Sequence, residues 1–73
     1  MESFKIDIIL AGENQNLLVI PVQTDNETSY RLMKNGLEIS VLKESGQAGW
    51  EVSGQPLNAE ELDAIGNQIK KHS

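Results

Sequence analysis

Apolar and polar residues alternate along the first segment of the chain: Phe4, Ile6, Ile8 and Leu10 fall on one side of an extended backbone, Lys5 and Asp7 on the other. A period of two is that of a half-buried β-strand, so a strand is expected over about 3–10. Gly12-Glu13-Asn14-Gln15-Asn16 reads as a turn cluster, and the run from Leu17 to Gln23 as a strand, about 17–23, apolar on both sides. Pro21 has no N–H to give to a ladder. Its expected place is a strand end, a bulge, or a position whose nitrogen faces an unpaired edge.

The strongest local signal is Asn35-Gly36, flanked by the alternating segments 29–34 and 37–43. A two-residue Asn-Gly loop favours a type I′ turn, whose twist matches that of the strands it joins. Counting outward pairs Lys34 with Leu37, Leu32 with Ile39 and Tyr30 with Val41 on one face. Met33 then pairs with Glu38, Arg31 with Ser40 and Ser29 with Leu42 on the other. Ser45-Gly46-Gln47-Ala48-Gly49 makes the next turn, and a short strand over about 49–53 places Trp50 and Val52 inward.

Gly54-Gln55-Pro56 ends the strands, and a helix is expected over about 59–72. Asn58 with Glu61 three positions on forms a capping-box start, and Leu57 and Leu62 have the spacing of a hydrophobic staple. Its apolar stripe is Leu62, Ile65 and Ile69. Glu60, Glu61 and Asp63 stand near the positive end of the helix dipole and Lys70, Lys71 and His72 near the negative end. Together these elements predict an α+β fold. It is an antiparallel meander of five strands, or four if the last does not form, with one C-terminal amphipathic helix packed on one face. Residues 1–73 form a single domain.

The expected core face holds Phe4, Ile6, Ile8, Leu32, Ile39, Val41, Trp50 and Val52. If Leu18, Ile20 and Val22 join it, then Leu17, Val19 and Pro21 gather on the opposite face with Ile9, Met33 and Leu42. A second apolar patch results. Large apolar patches on a small domain mark association sites, and a core this small gains from a second subunit. The expected function is therefore that of a non-catalytic protein-interaction module that forms a homodimer, with Ile9, Val19, Met33 and Leu42 as interface residues. The alternative is a domain that binds a small ligand or peptide, in a groove near Tyr30 and Trp50 or along an open sheet edge.

Composition narrows the choice further. Six basic residues against eleven acidic ones give a net charge of −5, and the basic residues are scattered, which disfavours nucleic acid as a partner. The chain has no cysteine, which excludes disulfides and thiol chemistry and fits a reducing compartment. Residues 1–5 lack a basic n-region, and Ile8-Ile9-Leu10-Ala11 is too short for a signal or membrane segment. A cytoplasmic protein without membrane association is expected.

Catalytic chemistry has little to stand on. The single histidine, His72, falls in the last helical turn, where a favourable charge on the dipole accounts for it better than a role as a base. Glu60, Glu61 and Asp63 are accounted for at a helix start. No spacing suits a zinc or calcium site, so no metal and no cofactor is expected. Gly46-Gln47-Ala48-Gly49 shares its letters with the GXXG loop of KH domains, but strands flank it here where helices flank that loop. Asn26-Glu27-Thr28 is a formal glycosylation sequon, read as chance in a chain with no export signal. Trp50 and Tyr30 are candidate ligand platforms, although inward positions on alternating strands favour a core role for both.

The run from Tyr30 through Asn35-Gly36 to Ile39, then Trp50, then Leu57 to Ile69 with Ile65-Gly66, resembles small uncharacterised bacterial ββββα proteins. That resemblance implies a fold and no activity or functional residue.

Overall fold

Two tight reversals organise the sheet. Ala11 and Gly12 have φ of 51° and 81°, and Asn35 and Gly36 have 52° and 80°, so each loop places two successive residues in the left-handed region, as a type I′ turn requires. The computed structural model describes residues 2–25, 27–45 and 49–72. Its elements are β1 (Phe4–Leu10), β2 (Glu13–Gln23), β3 (Thr28–Lys34), β4 (Leu37–Ser45), β5 (Gly49–Gly54) and α1 (Ala59–His72). Strand order in the sheet is β1-β2-β3-β4-β5 and every neighbouring pair is antiparallel. The fold is therefore an α+β meander of five strands followed by one helix. Gly46, Gln47 and Ala48 of the GXXG-like turn, and Asn26 of the sequon, lie outside the described residues.

The first turn is shorter than the polar run suggested. Glu13 to Asn16 belong to β2, which is 11 residues long, and only Ala11 and Gly12 reverse the chain. This reversal fixes the parity of β2: Phe4 stands opposite Val19 and Ile6 opposite Leu17, and directly opposed residues share a face. Leu17 and Val19 therefore enter the core, both at 0% exposure, while Leu18, Ile20 and Val22 face outward, the reverse of the expected assignment. Pro21 lies beyond the last β1 partner, Phe4 opposite Val19. Alternation along the ladder turns its nitrogen toward that unpaired side, so the missing N–H costs no strand hydrogen bond.

A β-bulge overturns the second half of the expected β3–β4 register. Lys34–Leu37 and Met33–Glu38 pair as counted, but Leu32 stands opposite Ser40 and Tyr30 opposite Leu42, because Ile39 is an extra residue in β4. One added residue exchanges the faces of everything that follows. Leu42 thus enters the core at 0% exposure, and Val41, opposite Arg31, faces outward. Ile39 remains packed against the core. The bulge is held by the residue that follows β5: Ile39 C=O accepts the Gln55 N–H at 2.9 Å, and the buried Ser40 hydroxyl donates to Gln55 C=O at 2.8 Å. Gly54, at φ 92°, passes so close that a Cβ there would lie 2.7 Å from Ile39 O.

The core consists of Ile6, Ile8, Leu10, Leu17, Val19, Tyr30, Leu32 and Leu42 from the sheet, with Ile65 and Ile69 from the helix. Helix α1 runs antiparallel to β1: Glu61 meets Ala11 at one end, and His72 stacks on Phe4 at the other, with ring centroids 4.2 Å apart. Its Gly66 also lies against the indole of Trp50 in β5. The helix touches both outer strands, so the twisted sheet curls around it.

Candidate interaction site

Three surfaces were expected to carry function, and the structure sorts them by burial. Tyr30 and Trp50 come together as anticipated, with ring centroids 5.8 Å apart in an edge-to-face arrangement at 72°. Tyr30 is buried, and Trp50 is half-buried, packed against the core beneath Gly66. Burial, and then the charge of Glu44, holds the Tyr30 hydroxyl above its ordinary pKa. With the Trp50 indole against the helix at Gly66 and packed edge-to-face with Tyr30, the pair contributes to the core.

The outer face of the sheet, turned away from α1, carries the second apolar patch, with different members from those expected. Val19 and Leu42 are in the core, for the reasons of turn parity and bulge given above. Their places are taken by Leu18, Ile20, Val22 and Val41, which join Met33, all half-buried. Leu18 is opposite Met33 and Ile20 opposite Arg31, which is in turn opposite Val41, so apolar side chains of β2, β3 and β4 share this face, with Arg31 between Ile20 and Val41. Ile9 shares this face but stands apart on β1, opposite Asn14 and 64% exposed.

Charged pairs lie within and beside the patch. Arg31 Nε meets Glu38 Oε1 at 2.6 Å and Lys43 Nζ meets Glu27 Oε2 at 2.9 Å. The hydrogen bond from Lys43 to Glu27, and then the charge of Glu27, keeps the Lys43 ammonium above its ordinary pKa. Both cations project on the outward side with Lys5, which is opposite Leu18. Half of the chain's six basic residues therefore stand on one face of a molecule that is acidic as a whole.

No family model, curated protein or solved structure matches the chain. The surfaces must be read from their own chemistry. Among the described residues, no three of His, Asp and Glu converge as a metal site would require, and no helix is long and apolar enough to cross a membrane. His72, the one imidazole, stacks on Phe4.

A third surface lies at the open edge of β1. Here the Glu61 carboxylate accepts the Asn58 N–H at 3.0 Å through one oxygen and the Ala11 N–H at 2.9 Å through the other, while Asn58 Oδ1 accepts the Glu61 N–H at 2.8 Å. The capping box expected at the helix start is thus complete. Its acid has a second task that spacing alone does not reveal, since Ala11 is 50 residues away. Beside this junction a groove of about 650 Å³ runs between β1 and the first three turns of α1.

Proposed function

We propose that this protein is a non-catalytic interaction module that associates with a second copy of itself through the outer face of its sheet. The observation that carries this reading is the set of aliphatic side chains Leu18, Ile20, Val22, Met33 and Val41 gathered around Arg31 on three central strands, on the side away from the helix. Such patches on small domains are association surfaces, and an isologous pair of sheets packed face to face buries them reciprocally.

Charge supports a second copy as the occupant. Two molecules with a net charge of −5 repel unless they meet where that charge is locally offset. Lys5, Arg31 and Lys43 supply the offset on this face, next to Asp7, Glu38 and Glu51, so a two-fold contact can set cations of one protomer against anions of the other. The chain is small enough for the added burial to matter to its stability.

Sedimentation over a wide concentration range tests the proposal. Wild-type protein is expected to dimerise, and Met33→Glu, which places a carboxylate in the patch, to remain monomeric with an unchanged circular dichroism spectrum. A wild type that stays monomeric up to millimolar concentration overturns it.

A further inference from the structure

The β1 edge carries a separate inference, independent of the outer face. Leu10 and Glu13 close the first turn, so alternation along the ladder directs the N–H and C=O groups of Ile6 and Ile8 to β2 and those of Lys5, Asp7, Ile9 and Ala11 outward. At the end of this row, in the turn after β1, the Ala11 N–H meets the Glu61 carboxylate of the helix. β1 has a strand partner on one side only, β2. The groove borders Asp7 and Ile9 on the strand, and its opposite wall is Glu60, Ala64 and Gln68, one residue per turn along one helix face. Ala64 at the centre has the shortest side chain of the three and leaves the width.

We propose that this groove binds an extended, basic segment of another polypeptide by strand addition to β1. Backbone groups of Asp7 and Ile9 supply the hydrogen bonds, and the guest's side chains alternate between the Ala64 wall and the outer side beside Ile9. Ile9 is one of the few large apolar residues that this fold leaves well exposed, and a guest strand covers it. The charge of the guest follows from the lining: Asp7, Glu60 and Glu61 contribute carboxylates, and no lysine or arginine lines the groove. A basic guest is also favoured over a second β1, because antiparallel pairing of two copies about Asp7 opposes two carboxylates.

The test is an amide-shift titration of the isotope-labelled protein with an octapeptide of alternating lysine and valine, and with its glutamate–valine counterpart. The lysine peptide is expected to shift Asp7, Ile9 and Ala64, and the glutamate peptide to leave them unmoved. Ile9→Pro removes the outward donor without touching the β1–β2 ladder, and should weaken binding at least tenfold. Glu60→Lys, on an exposed helix position, should weaken it as well and serves if the proline variant does not fold. The proposal is overturned by equal binding of the two peptides, by shifts confined to Leu18 and Val41, or by undiminished affinity in both variants. Concentration-dependent shifts at Asp7 and Ile9 without any peptide would assign the edge to a second copy and overturn it too. Loss of the dimer in Met33→Glu leaves these outcomes unchanged, so the two proposals fail separately.

Discussion

Glu61 and Ala11, 50 residues apart, are joined by a single hydrogen bond of 2.9 Å from the Ala11 N–H to the Glu61 carboxylate. The Asn58 N–H occupies the other oxygen at 3.0 Å. Both bonds favour the ionised acid, Ala11 first, and hold its pKa below the ordinary value. A group depressed on folding stabilises the native state above its unfolded pKa, and that contribution is lost as pH falls through the folded value. Wild type should therefore lose stability as pH falls from the unfolded carboxylate range through the lowered folded value, and Glu61→Gln should narrow the stability difference between pH 7 and pH 3. Urea midpoints measured at both pH values check this; an unchanged difference sinks it.

Gly66→Ala should destabilise the fold even though alanine is the better helix former by about 1 kcal/mol. A Cβ at this position would lie 2.7 Å from Trp50 Nε1 and 3.2 Å from Cε2, and the indole also packs against Tyr30, with ring centroids 5.8 Å apart. Overpacking of this kind costs about 1–3 kcal/mol. The expected readouts are a lower urea midpoint, a red-shifted Trp50 emission, and partial recovery on adding Trp50→Phe, which shortens the ring system. Additive effects of the two substitutions would contradict the contact.

Leu42→Ala and Val41→Ala distinguish the bulged register from a regular one. Leu42, fully buried, should lose about 2–5 kcal/mol, enough to unfold most of a domain of this size at room temperature. Val41, on the outer face, should lose less than about 1 kcal/mol. Denaturant titration of the two variants would give the opposite order if Ile39, not Ser40, stood opposite Leu32.

Asn58→Ala should cost about 1 kcal/mol, since it removes the acceptor for the Glu61 N–H, and Asn58→Asp should keep most of that stability. Thermal unfolding at neutral pH compares the two.

Sequence pattern carried the element order, the Asn35-Gly36 turn, the capping box and the inward strands β1 and β5, because each depends on neighbours within a few residues. What it missed depends on parity. β2 is apolar on both sides, so its own residues do not say which side is inward. The answer lies in the Ala11-Gly12 turn, where alanine at positive φ gives no signature, since the conformation costs a non-glycine residue about 1–2 kcal/mol. Ile39 looks like any strand residue, and its bulge is held by Ser40 and Gln55, partners 15 residues apart. The existence of a second apolar face was legible because β2 has apolar residues to spare. Its membership was inverted at Val19 and Leu42, and retained at Met33.

The adjacency of strands in chain order bears on how the molecule assembles. Each sheet contact joins consecutive segments, and among the element pairs in extensive contact only α1 with β1 brings the two ends of the chain together. Local hairpins close at low entropic cost, whereas this one closure spans the whole sheet. Helix docking is therefore the closure that costs the chain most entropy, and it is the contact that keeps the inner face of the curled sheet from water.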